Sequence, residues 1–272
     1  MMYSYKLQED LFAKEAIDKK VKLLQDTQLL FIRHLKKTLR APIWLVLGLM
    51  QPVLYLLLYM PLLKNLGNTA ALPLEKIAQI FVPGMLVIMG VSTLFAGFGF
   101  IPEIREGFVT RILVTPASRI AILISLVLER IVALLLQAIV LLVIAYVLGL
   151  RVSFLGVILT LILVVFIGAT ITSSSYIISI VTKSEDGLAS LVNTLYLPIM
   201  LLSGIMLPIS LAPQWLKMAA RFNPFYYAVE AARSLFLGNF NDGIVIEGFV
   251  IMGIFALLAV WFAVRSLKQM VA

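Results

Sequence analysis

The sequence contains no cysteine and a single histidine, His34. Without thiols, neither a disulfide framework nor a thiolate metal site can be built, and pairing says nothing about redox compartment. Charge is scarce as well: 13% of the 272 residues are charged against 62% hydrophobic, too little polar surface for a soluble domain. No Gly-x-x-x-x-Gly-Lys-Ser/Thr run occurs, so the chain has no Walker-type phosphate cradle of its own, and the His-Glu-x-x-His and Gly-x-Ser-x-Gly motifs are absent too. With His34 outside the long apolar runs, a serine–histidine hydrolase within the membrane has no base. No catalytic, cofactor-binding or metal-ligating residue is expected in this chain, and it is not expected to be an enzyme.

What the sequence does have is apolar length. A bilayer crossing needs about 20 predominantly apolar residues, and six segments supply them: Ile43 to Leu63, Ile77 to Ile101, Ile131 to Leu150, Phe154 to Val181, Leu188 to Leu207 and Val245 to Val264. An all-α polytopic membrane protein with six transmembrane helices follows. An even number of crossings puts both termini on one side. Placing them in the cytoplasm gathers Lys6, Lys14, Lys19, Lys20, Lys22, Arg33, Lys36, Lys37, Arg40, Arg105, Arg111, Arg119, Lys183, Arg265 and Lys268 on the inner face, against Lys64, Lys76, Arg151, Lys217, Arg221 and Arg233 outside, as the positive-inside rule requires. The net charge of +8 is thereby read as topology, not as nucleic-acid binding. The mixed charges of Glu9, Asp10, Lys14, Glu15 and Asp18 do not resemble a cleaved signal.

Residues 1–42 form a cytoplasmic N-terminal segment and residues 43–272 the spanning domain. In the former, Leu24, Phe31, Ile32, Leu35 and Leu39 fall near one helical face, while Arg33, Lys36, Lys37 and Arg40 repeat on another. An amphipathic helix lying on the anionic inner leaflet is expected, with His34 as an interfacial side chain; a solvated juxtamembrane helix is the alternative.

Two connections are more than turns. On the inner side Ile104, Phe108 and Ile112 recur every four residues while Glu103, Arg105 and Glu106 stay polar, predicting a short amphipathic helix that ends before Pro116, with Ser118 capping the next. On the outer side Pro208, Pro213, Trp215, Asn223, Pro224, Tyr226, Tyr227 and Arg233 mark a helical pair broken at Asn223-Pro224, expected to re-enter the outer leaflet.

Glu129 and Arg130 raise the question of ion coupling, because an intramembrane acid is costly and usually functional. A helix from Ser118 to Leu150 would be about 48 Å long against a core of about 30 Å, and Ile131 to Leu150 crosses unaided. The pair therefore sits near the inner boundary in a structural role, and as sequence neighbours the two are not expected to face each other. The stretch from Gly168 to Tyr176 concentrates small and hydroxyl residues, which pack helices closely or line a polar path.

Pro102-Glu-Ile-Arg-Glu-Gly-Phe108 followed by Leu113-Val-Thr-Pro-Ala-Ser-Arg119 resembles the loop between the second and third spans of type-2 ABC exporter permeases, the group that includes daunorubicin-resistance-like drug permeases and polysaccharide permeases. Leu202-Ser-Gly-Ile-Met-Leu-Pro208 and Asn223-Pro-Phe-Tyr226, with Arg233 and Gly238, resemble that family's segment after the fifth span. The resemblance implies an exporter permease for a drug, lipid or lipid-linked glycan, in the cytoplasmic membrane of a bacterial-type cell. It implies a homodimer, or a dimer with a similar permease, engaging two copies of a cytosolic ATPase that binds ATP and magnesium. Glu103, Arg105, Glu106, Gly107 and Phe108 would form the coupling helix that docks on that ATPase, with Leu113, Thr115 and Pro116 fixing its exit. An ion-coupled secondary transporter or channel, and a non-transporting scaffold, are the competing readings.

Overall fold

The computed structural model describes residues 22–70, 74–107, 119–205, 209 and 212–269. Among these residues every regular element is helical: α1 (Lys22–Arg40), α2 (Ile43–Ala70), α3 (Leu74–Ser92), a 3-10 helix (Thr93–Gly99), α4 (Ile101–Arg105), α5 (Arg119–Val147), α6 (Phe154–Thr182), α7 (Glu185–Leu202), α8 (Gln214–Arg221), α9 (Pro224–Phe236) and α10 (Gly243–Gln269). The all-α architecture expected from the apolar runs is present. Four stretches are long and apolar enough to cross a membrane, namely Ala78–Arg105, Ile120–Val147, Phe154–Thr182 and Gly243–Leu267. Lys22–Arg40 with Leu45–Leu58, bent by 64°, makes a fifth if the pair counts as one crossing. The expected segment Leu188 to Leu207 is represented by α7 as far as Leu202, with residues 206 and 207 outside the described ones; α7 begins with Glu185 and Asp186 and is not among the four, because its acidic first turn and Asn193 dilute its apolar length.

Helix α6 is the axis of the bundle, contacted by α3, the 3-10 helix, α5, α7, α9 and α10. Ser153 caps its start by accepting the Gly156 N–H, and Lys183 ends it in a left-handed turn at φ 49°. The small residues explain its central place. A Cβ on Gly168 would stand 2.8 Å from Leu134 Cδ2 on α5, so the backbone of α6 approaches α5 more closely than any side chain would allow. Leu86, Met89, Leu134, Leu141, Leu163 and Ile167 make one buried cluster, and Phe100, Leu123, Val127, Tyr176 and Leu267 a second. Outward, Ile139 and Val143 of α5 and Leu257, Trp261 and Phe262 of α10 are exposed apolar side chains, as acyl-chain neighbours require.

The stretch expected as one crossing from Ile77 to Ile101 does not stay α-helical. At Ser92 it tightens into seven residues of 3-10 helix, a run longer than usual for that geometry. Local and distant hydroxyls account for it. Ser92 and Thr93 donate to the carbonyls of Met89 and Gly90, three residues back. Ser175 of α6 accepts the Gly97 N–H at 2.9 Å and donates to the Leu94 carbonyl. One side chain thus satisfies two backbone groups that an α-helix would have paired internally.

Candidate functional site

The inner end of the bundle holds the polar residues singled out in the sequence. Pro102 sits in the first turn of α4, where a missing N–H costs nothing. The helix closes at Arg105, and Gly107 turns at φ +69°. The amphipathic helix expected through Ile104, Phe108 and Ile112 falls for the most part outside the described residues, which end at the Gly107 turn. Phe108, Leu113, Thr115 and Pro116 lie outside the described residues.

Within α4 the polar residues diverge. Glu103 is buried and accepts a 2.7 Å charge-assisted hydrogen bond from Lys37 Nζ of α1. It therefore faces into the molecule, against the expectation that it would meet a cytosolic partner. Arg105 and Glu106 are exposed, and Arg105 Nε donates to the Lys183 carbonyl at the end of α6.

Glu129 is buried as well. Its Oε1 accepts the Thr38 hydroxyl of α1 at 2.6 Å, so its partner is the N-terminal helix. Arg130 Nε lies 3.3 Å from Glu129 Oε2, off the line of a hydrogen bond, since that Nε has no hydrogen-bond partner. The expectation that these neighbours would not face each other is corrected here: their backbone vectors diverge, but two long side chains fold back into one small polar space. A Cβ on Gly99 would be 3.2 Å from Arg130 Nη2, which places the guanidinium against the end of the 3-10 helix.

Helix α1 presents three faces, where the sequence suggested two. Leu30, His34 and Thr38, at steps of four, turn toward the bundle: Leu30 packs on the second apolar cluster, His34 is buried, and Thr38 reaches Glu129. Leu24, Ile32 and Leu39 are exposed, and Arg33, Lys36, Lys37 and Arg40 form the basic face. Helix α1 is not one of the four spanning stretches. Burial holds its His34 imidazole below the ordinary histidine value of 6.5; Arg33, Lys37 and Arg130 push the same way, and Glu103 opposes them. Lys37 and Thr38 were missed as partners of Glu103 and Glu129. The available signal was the spacing of Leu30, His34 and Thr38 at four-residue steps, separate from the exposed stripe.

At the other end, the break at Asn223-Pro224 is present between α8 and α9. Asn223 caps α9 by accepting the Phe225 N–H at 3.0 Å and donates through Nδ2 to the Ile199 carbonyl of α7 at 3.0 Å. Pro213 is the N-cap residue of α8, in extended geometry. Trp215 is exposed, and Tyr226 packs edge-on against Tyr227 with centroids 5.2 Å apart. Pro208 lies outside the described residues.

Arg233 of α9 is buried and uses its whole fork. Nε donates to Ile80 O at 3.2 Å, Nη1 to Glu230 Oε1 at 2.7 Å, and Nη2 to Gly204 O at 2.7 Å and Ile205 O at 3.3 Å. The guanidinium thereby joins α9 to α3 and to the turn that ends α7. In the hydroxyl-rich stretch of α6, Thr170, Ser174 and Ser179 bond their own helix four residues back. Thr172 and Ser173 are fully buried without a hydrogen-bond partner, and the stretch packs against neighbouring helices.

A family model described as ABC-2 type transporter matches residues 25–237. Three relatives carry the name "Putative transport permease ycf38". The one from Cyanophora paradoxa is 26% identical over 200 residues, covering 72% of this chain and 69% of that protein. Those from Pyropia yezoensis and Porphyra purpurea are 25% and 24% identical over 232 and 229 residues, each covering 82% of this chain and 79% of the relative.

Proposed function

The chain belongs to the ABC-2 type transporter family, and from that premise we propose that it is the membrane-spanning subunit of an ATP-binding-cassette exporter that moves a hydrophobic or amphiphilic substrate, a drug, lipid or lipid-linked glycan, out of the cytoplasm. Two copies of a separate cytosolic ATPase bind ATP and magnesium, and a second permease copy completes a homodimer. The protein lies in a bacterial-type cytoplasmic membrane with both termini inside. Its six crossings are the four long apolar stretches, α2 and α7, with α1 lying on the inner face ahead of them. The pair α8 and α9 re-enters the outer leaflet.

The observation that carries this reading is the junction at the inner end. Helix α4 leaves Arg105 and Glu106 to solvent while Glu103 is bound to α1, and Arg105 reaches the end of α6. A cytosolic subunit pressing on Arg105, Glu106, Gly107 and Phe108 pushes an element already bonded to α1 and to the central helix, and Leu113, Thr115 and Pro116 set how the loop leaves. Glu129 is held by Thr38, which gives it a structural role and weakens the case for an ion-coupled transporter.

The test is copurification of the tagged chain from its native host, followed by transport in proteoliposomes. An ABC ATPase should copurify, and Glu106→Leu should lower ATP-driven flux and substrate-stimulated hydrolysis without lowering membrane abundance. Flux by the chain alone along an ion gradient, without ATP, would overturn the proposal.

A further inference from the structure

The basic face of α1 does more than count toward topology. An open recess of about 590 Å³ lies along it, lined by Leu29, Ile32, Arg33, Lys36, Lys37 and Arg40. They form two interleaved series at steps of three and four, Leu29, Ile32, Lys36 and Arg40 beside Leu29, Arg33, Lys37 and Arg40, so one helical face combines four cations with two apolar side chains. Leu29 and Ile32 are themselves exposed, at the level of the helix where a soluble anion would gain nothing from them. Lys37 already neutralises the buried Glu103, which anchors the recess to α4. Arg33, Lys36 and Arg40 add three more cationic side chains to the same face.

We infer that this recess is a binding site for an anionic phospholipid of the inner leaflet, with the phosphodiester held by Arg33, Lys36 and Arg40 and the first acyl carbons lying on Leu29 and Ile32. Three observations select that occupant. Charge complementarity requires an anion; the apolar pair within the same face requires hydrocarbon next to that anion; and the adjoining exposed Leu24 and Leu39 continue the apolar surface sideways, as a bilayer would. Arginine suits a phosphodiester because its planar fork donates in pairs. The inference does not depend on what the protein transports.

The full chain is placed in phosphatidylcholine nanodiscs containing a photoactivatable phosphatidylglycerol, irradiated, and the labelled peptides are mapped by mass spectrometry. Labelling should concentrate on residues 29–40. Arg33→Gln/Lys36→Gln/Arg40→Gln should lower it about tenfold or more, given that each basic residue near an anionic surface contributes about fivefold. The charge-keeping variant Arg33→Lys/Lys36→Arg/Arg40→Lys should retain most of it, and Lys183→Gln/Arg265→Gln, which alters other inner-side charges, should leave it unchanged. Equal labelling of α1 by a photoactivatable phosphatidylcholine in the unsubstituted chain would overturn the inference whether or not the variants fold. Displacement of the label by excess soluble glycerol phosphate would assign the site to a free phosphate and overturn the lipid.

Discussion

Replacing Arg233 with methionine keeps most of the side chain's volume and removes every donor. Arg233 is 5% exposed, and its guanidinium serves the carbonyls of Ile80, Gly204 and Ile205 and the carboxylate of Glu230. Each buried acceptor left without a partner costs about 1–3 kcal/mol. Against that, the variant no longer buries a cation, and the Ile205 bond at 3.3 Å is long. Removing one side of a buried, hydrogen-bonded charge costs about 3–5 kcal/mol overall, and that range is adopted for Arg233→Met. For a chain of this size 1 kcal/mol shifts the melting temperature by about 2–4 °C, so a loss of roughly 10 °C is expected. Arg233→Lys should fall between the two, because a single ammonium cannot span α3, Glu230 and the end of α7 at once. The assay is thermal denaturation of the purified protein in detergent, followed by retention of the monodisperse peak in size exclusion. A methionine variant that melts within about 2 °C of the unsubstituted protein would refute the assignment of Arg233 as the tie between these helices.

Gly97→Val should destabilise by about 1–3 kcal/mol through overpacking, since its Cβ would stand 2.8 Å from Ser175 Oγ and closer still to Ser179 Oγ; adding Ser179→Ala should recover part of the loss in the same melting assay. A double-mutant cycle with Lys37→Met and Glu103→Gln should return a coupling of about 1 kcal/mol or less, because the Lys37 side chain is 64% exposed; a coupling of zero would mean that α1 and α4 are joined by packing alone. His34 is buried with its pKa lowered, so folding disfavours its protonated form. The associated stability is complete above the ordinary value of 6.5 and is lost as pH falls through the lowered folded value. Melting temperatures from pH 8 down to 5 should therefore drop more steeply for the unsubstituted chain than for His34→Gln, with Glu103, Arg33, Lys37 and Arg130 as the charged neighbours that set the slope.

Elements whose boundaries are written in local chemistry were legible in the sequence. Phe154 to Val181 begins after a serine cap and is recovered as α6 within a residue, and Asn223-Pro224 breaks α8 from α9 because proline fixes the turn wherever it occurs. Features that depend on a distant partner were not. The tightening at Thr93–Gly99 rests on Ser175, 78 positions beyond Gly97, and no window over the second apolar run contains that hydroxyl. Glu103 read as outward-facing because its neighbours Arg105 and Glu106 are polar; its burial follows from Lys37, 66 positions earlier. The third face of α1 was hidden for a related reason. His34 and Thr38 are polar, and a polar residue on an amphipathic helix is assigned to water unless the buried carboxylate that receives it is known. Family resemblance singles out two connections as candidates, which periodicity alone does not, and it does not supply the direction in which Glu103 points.

The seven-residue stretch from Thr93 to Gly99 sets how far α4 stands from the bundle and which way it faces. A 3-10 helix advances about 2.0 Å per residue with three residues per turn, against about 1.5 Å and 3.6 in an α-helix. Rewinding all seven residues would draw α4 toward the bundle by about 3.5 Å and swing it by about 140° about the axis. The compass bearing of Glu103 and Arg105 is consequently set upstream, by whether one serine on α6 keeps its grip on Leu94 and Gly97.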